Sequence, residues 1–88
     1  MEAFFIVKSI LRTVIDSSRI TYRDSQSYFS VLVDDNNRKN ICRLRFNRAT
    51  KYIGLMDSEK NETKHVINSL DDLYSFSSQL IEVVGRFK

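Results

Sequence analysis

Proline is absent from this 88-residue sequence, and glycine occurs only twice, as Gly54 and Gly85. Without clusters of either residue, nothing reads as a linker, a repeat or a low-complexity stretch, and residues 1–88 read as a single domain. Cysteine occurs once, as Cys42, so no internal disulfide can form. Histidine also occurs once, as His65. A structural zinc site needs about four Cys or His ligands and is excluded. A glycine-rich phosphate loop is missing too. Long apolar runs are lacking. The stretch 3–7 is too short for a signal peptide, Glu2 stands where such a segment carries positive charge, and nothing approaches the roughly 18 apolar residues of a membrane span. These absences point to a soluble protein. A lone thiol with no disulfide framework suits the cytoplasm, and no cofactor is implied.

The pattern of the residues present predicts two helices around a sheet. Phe4, Val7, Ile10, Leu11, Val14 and Ile15 recur at helical spacing, which predicts an amphipathic helix over 3–15 broken by the DSSR run at 16–19. ITYR at 20–23 reads as a short extended piece. In SYFSVLV, 27–33, Phe29, Val31 and Val33 alternate with Tyr28, Ser30 and Leu32. The Asp- and Asn-rich run at 34–40 reads as a turn. ICRLRFN, 41–47, places Cys42, Leu44 and Phe46 on one face and Arg43 and Arg45 on the other, so Cys42 reads as a small buried apolar residue. KYIGLMD at 51–57 and TKHVI at 63–67 read as further strands, the last at a sheet edge. Ser69 is placed to cap a final helix with Asp72 three residues on. In that helix Leu73, Phe76, Leu80, Val84 and Phe87 recur every three or four residues. Arg86 and Lys88 match the dipole at its end. The expectation is an α+β domain: helix, antiparallel meander of three to four strands, helix, with both helices on one sheet face.

Charge is unevenly distributed. The 21 residues between Asp35 and Asp57 contain no acid and carry Arg38, Lys39, Arg43, Arg45, Arg48 and Lys51, a local charge of +6 in a chain whose net charge is +3. Alternation sends Arg43 and Arg45 to the face opposite Cys42, where Tyr28, Tyr52, Ser30 and Leu32 can join them. Basic groups neutralise phosphates and aromatic rings stack on bases, so this strand face is a candidate nucleic-acid surface. Two other readings fit the same pattern. Strand arginines are often simply solvated and guard an edge against aggregation, and Arg with Tyr also suits a protein-docking face.

Catalytic constellations are weaker. Asp34 and Asp35 fall in a predicted turn, and Asp71 and Asp72 at a helix start, so both pairs read as structural. Asp57, Glu59 and Lys60 resemble a metal-nuclease set only superficially, since they share one predicted loop, whereas such a site needs ligands converging from neighbouring strands. His65, flanked by Lys64 and Val66, is the only conventional base for a serine nucleophile, and a structural or surface role fits it better. Tyr74 and Phe76 read as core and its rim. No catalytic residue is assigned.

Four stretches are distinctive: YRDSQSYF at 22–29, LVDDNNRKNICRLRFN at 32–47, KYIGLMD at 51–57 and INSLDDLY at 67–74. Through them, from about Phe5 to Leu80, the chain resembles the C-terminal domain of bacterial type I restriction enzyme R-protein-like proteins. That resemblance implies a neighbouring N-terminal domain similar to the restriction-endonuclease core, holding metal-binding carboxylates and a lysine that no position here matches. One departure is Asn40, where the family pattern leads one to expect proline after the Arg-Lys pair. The joint expectation is a non-catalytic accessory domain that binds or positions DNA. Arg43 and Arg45 would meet phosphates, Arg38, Lys39, Arg48 and Lys51 would assist from the turns, and Tyr28 and Tyr52 would offer stacking area. The alternatives are a module docking on the nuclease domain or forming a homodimer, with an apolar patch around Leu32, Tyr52 and Met56, and, more remotely, an independent enzyme.

Overall fold

The computed structural model describes residues 2–46, 49–57, 59 and 61–87. Helix α1 (Glu2–Leu11) buries Ala3, Phe4, Val7 and Leu11, the stripe that the spacing predicts. It ends one turn earlier than the apolar pattern. The amides of Val14 and Ile15 both donate to the Leu11 carbonyl, tightening the chain where three β-branched residues follow one another. Ile15 is buried all the same. The Asp16 carboxylate then accepts from the Ser18 amide and hydroxyl, which caps a single 3₁₀ turn over Ser17–Arg19.

Five strands follow: β1 (Ile20–Asp24), β2 (Phe29–Val33), β3 (Asn36–Arg45), β4 (Lys51–Met56) and β5 (Glu62–Ile67). They pair antiparallel in sequence order, with β1 and β5 at the edges. The count exceeds the expected three to four because the short ITYR piece is a true strand, paired along its length with β2.

The larger departure lies between β2 and β3. The turn is two residues long, not seven. Asp34 and Asp35 have φ of 57° and 54°, and Val33 pairs with Asn36 across them. Positive φ at both central residues is the signature of the tight hairpin turn whose twist matches that of the strands. Asn36–Asn40 already belong to β3, which makes room for its surplus residues through irregular register between Val31 and Val33. Three alternate residues secure the tip: Arg19 bonds Asp34 through two nitrogens, the Thr21 hydroxyl accepts from the Asp35 amide, and Arg23 reaches Asp35 and Asn37.

The C-terminal segment is two helices in tandem. A 3₁₀ stretch, Leu70–Phe76, leads into helix α2 (Ser77–Gly85). The Asp72 carboxylate accepts from the amides of Asn68 and Ser69, as the capping pattern anticipates. The hydroxyls of Ser75 and Ser77 donate to carbonyls three residues back, at Asp72 and Tyr74. Such side-chain competition for backbone acceptors accompanies the tighter winding here.

Both helices cover one face of the sheet. Phe29, Val31, Val33, Cys42, Leu44, Ile53 and Leu55 from the strands meet Phe4, Val7, Leu11, Leu73, Leu80, Val83 and Val84 in one core. Cys42 is wholly enclosed, and burial pushes its thiol up to about 12, so it stays protonated and inert. His65 shares this side of the sheet and lies 5.1 Å from the Phe76 ring, in a packing role. Among the described residues, no helix is long and apolar enough to cross a membrane.

Candidate nucleic-acid interface

The opposite face carries the residues singled out by alternation. Register places Ser30, Arg43, Gly54 and Lys64 in one row across β2 to β5, and Arg45, Tyr52 and Val66 in the next. Tyr28, just before β2, lays its ring against both arginines, 4.6 Å from the Arg43 guanidinium and 5.0 Å from that of Arg45. Arg43, Arg45, Tyr28 and Tyr52 thus form one patch on the side that no helix covers.

The patch has a member that the acid-free block hides. Glu62, at the start of β5, places its carboxylate beside both arginines. Arg45 donates to it through Nε at 2.9 Å and Nη2 at 2.7 Å, and Arg43 through Nη1 at 3.2 Å. These charge-assisted bonds, those of Arg45 first, hold the Glu62 carboxyl below the usual carboxylate range despite its partial burial, and raise Arg45 in turn. Gly54 explains how the carboxylate gets there. A Cβ on Gly54 would collide with the Glu62 side chain, so only glycine leaves the space. The patch therefore carries a net charge of +1 where two free guanidiniums were expected.

The remaining predicted site residues disperse. Arg38 and Lys39 lie on β3 near the hairpin tip, with Lys39 Nζ 3.6 Å from the Asp34 carboxylate. Lys51 pairs with Ile67, which puts it on the helix-covered side, and its ammonium sits 5.8 Å from the Phe46 ring. Arg48 lies outside the described residues. Two open-face residues are also more enclosed than an uncovered sheet suggests. Leu32 is 0% exposed and Ser30 7%. Leu32 has Thr21 and Asn40 as its register partners, and Arg23 on the same face ties to Asp35 and Asn37 at the hairpin tip. Leu32 is thus no part of an exposed apolar patch; Tyr52 and Met56 are half-buried and Val66 is 55% exposed.

A signal for Glu62 was present in the sequence. Once β5 is read as an edge strand, Glu62, Lys64 and Val66 share one face, and a glycine in the middle of the neighbouring strand marks a close approach.

The carboxylate pairs serve the backbone. Asp34 and Asp35 form the hairpin turn, Asp72 caps the 3₁₀ segment, and Asp57 accepts from the amides of Glu59 and Asn61. Among the described residues, no three His, Cys, Asp or Glu side chains converge as a metal site would require. Comparisons with protein-family models, with curated proteins and with solved structures give no match.

Proposed function

We propose that this domain is a non-catalytic accessory module of a restriction-endonuclease-like protein, and that it binds or positions DNA through the open sheet face. The observation that carries this reading is the Tyr28 ring held against Arg43 and Arg45 on a helix-free surface, with Tyr52 next in register. Planar cations and rings assembled in advance suit phosphate contact and base stacking, and such contacts fix position without reading sequence. The resemblance of the four quoted stretches to the restriction-enzyme family supplies the setting, and the neighbouring nuclease-like domain is the expected partner.

Glu62 tempers the chemistry. A phosphate that reaches Arg43 or Arg45 shares each guanidinium with this carboxylate, so fewer counterions are released than the block charge suggests. Affinity for labelled single- and double-stranded DNA, titrated across salt, tests the reading. A log–log slope of about −3 to −6 fits a handful of phosphate contacts, and the Glu62 pairing favours the shallow end. Replacing Arg43 and Arg45 together by alanine should weaken binding, while Glu62→Gln should strengthen it and steepen the slope. Absence of binding at low salt overturns the reading; binding unchanged by the double replacement overturns the residue assignment.

A second reading has its own support. The near-neutral Arg–Glu cluster beside exposed Val66 and half-buried Tyr52 and Met56 has the mixed character of a protein-docking surface. Its partner would be the nuclease-like domain or a second copy of the chain. A concentration-dependent sedimentation coefficient abolished by Val66→Asp supports the homodimer, and a strict monomer rules it out.

A further inference from the structure

The irregular half of β3 does more than shape a hairpin. It stands away from the end of β4 and faces the last turn of α2, leaving a cavity of about 330 Å³ between three elements. Met56, Val83 and Phe87 supply an apolar wall. Arg38, Arg43 and Arg86 bring three guanidiniums to the same space from β3 and from the end of α2. Arg86 is held by donating to the Met56 carbonyl at 3.1 Å and pairs with Glu82 at 3.6 Å, while Arg43 keeps its bond to Glu62, so a guest anion shares both with carboxylates. Arg38 is exposed, and its guanidinium makes no hydrogen bond or ion pair among the described residues. Asp57 also lines the cavity, but its carboxylate accepts from the amides of Glu59 and Asn61 and so is committed to its own turn.

Two atoms of the lining side chains are left without partners among the described residues: Asn40 Oδ1 and Arg43 Nε, both shielded from solvent. Buried polar groups are nearly always satisfied, by protein or by water, so the chain's own hydrogen bonds do not close the structure behind this cavity. Three arginines beside an apolar wall define a complementary guest. It has an apolar body, one anionic head, and a size near the lower limit of small-molecule sites.

We propose that this cavity binds a small amphipathic anion, an aromatic or short aliphatic group bearing a single phosphate or carboxylate. The head lies among Arg38, Arg43 and Arg86, and the body rests on Met56, Val83 and Phe87. The site shares Arg38 and Arg43 with the DNA reading, but it opens at the α2 end of the sheet and its guest needs an apolar body that a bare phosphate backbone does not provide, so small-anion binding and DNA affinity are read separately.

Amide chemical-shift titration of the 88-residue protein with phenyl phosphate and with benzoate tests the proposal, with inorganic phosphate (head alone) and benzyl alcohol (body alone) as controls. Shifts should concentrate at 37–43, 56–57 and 83–87. The better of the two amphipathic anions should bind about tenfold or more tightly than either control, which also decides between phosphate and carboxylate heads. Arg38→Ala, at an exposed position, should weaken that guest by about five- to tenfold, the loss of one charge-assisted contact, and leave the remaining spectrum in place. The proposal fails if the anions bind no better than the controls, if shifts scatter over the surface, or if Arg38→Ala leaves affinity unchanged.

Discussion

The two faces of this sheet exclude water by different means. On the helix-covered side, Val31, Cys42 and Leu44 lie within one apolar cluster that α1 and the C-terminal helices close. On the other side no helix lies among the described residues, yet Leu32 is just as completely buried. Its register neighbours are polar, Thr21 on one side and Asn40 on the other, and Arg23, next to Thr21 on that face, is tied to Asp35 and Asn37. Beside it, Arg43, Arg45, Tyr28 and Glu62 shield one another by stacking and ion pairing. The stems and planar heads of arginine can cover apolar surface while their charges stay satisfied. A small domain can therefore enclose part of its second face without another layer of secondary structure.

The largest expected effect tests whether the two kinds of cover are equivalent. Leu44→Ala removes a side chain locked between sheet and helices and should cost about 2–5 kcal/mol. Leu32→Ala should fall at or below the low end of that range, because long polar side chains can settle into the space that a helix cannot. Denaturant midpoints at unchanged slope measure both. Equal losses would mean that the polar cover is packed as firmly as the core and that the open face is a rigid surface.

A smaller effect isolates the charged cluster. Glu62→Gln leaves two partly buried guanidiniums short of an anionic acceptor and should cost about 1–2 kcal/mol, held down by solvent screening. Gly54→Ala should cost a similar amount, since its methyl displaces the Glu62 carboxylate. If the close approach is the only reason for the glycine, combining Gly54→Ala with Glu62→Ala should cost less than the sum of the two by roughly 0.5 kcal/mol or more. Additive losses would show that Gly54 serves something else. The pH dependence follows from the lowered Glu62 carboxyl. A depressed native pKa stabilises fully above the unfolded value of about 4.3 and loses that contribution as pH falls through the native value. The wild type should therefore lose its advantage over Glu62→Gln on acidification through this window. Asp34, lowered by Arg19, titrates as a common background in both proteins.

What could be read from the sequence follows the reach of each signal. Period-two alternation placed Cys42 and Leu44 in the core and Arg43 and Arg45 on the opposite face, because strand geometry alone decides that. Helical spacing located α1 and the buried stripe of Leu73, Leu80 and Val84. It does not carry the helix limits where local side-chain bonds rewind the backbone, as at Ser75 and Ser77, or where β-branched residues follow in series after Leu11. The charge block misled for a different reason. Counting charge along the chain ignores what the next strand brings across. Glu62 lies outside the block, yet meets Arg45 at 2.7 Å. Likewise the Asp- and Asn-rich run looked like one long turn, because composition reports tolerance of positive φ but not how few residues use it: only Asp34 and Asp35 do.

That hairpin tip sets the finest test of the comparison. Arg19–Asp34 and Arg23–Asp35 have much the same chemistry as Arg45–Glu62, but they stand in solvent. Exposed pairs contribute little once screening and side-chain entropy are counted. Replacing Asp34 and Asp35 together by Asn-Gly keeps the turn, indeed in its most favoured composition, while removing both carboxylates. If the pairs matter only as surface charges, the denaturation midpoint should stay where it is, the gain in turn propensity offsetting the lost attraction. If instead the Arg23–Asp35 contact holds the polar cover over Leu32, stability should fall, and the fall should shrink when the same change is made in Leu32→Ala, where less apolar surface remains to be covered. Chemical denaturation of the four proteins completes that cycle. Coupling between the tip and Leu32 would make the ion pair part of what encloses Leu32; independence would leave it as surface decoration.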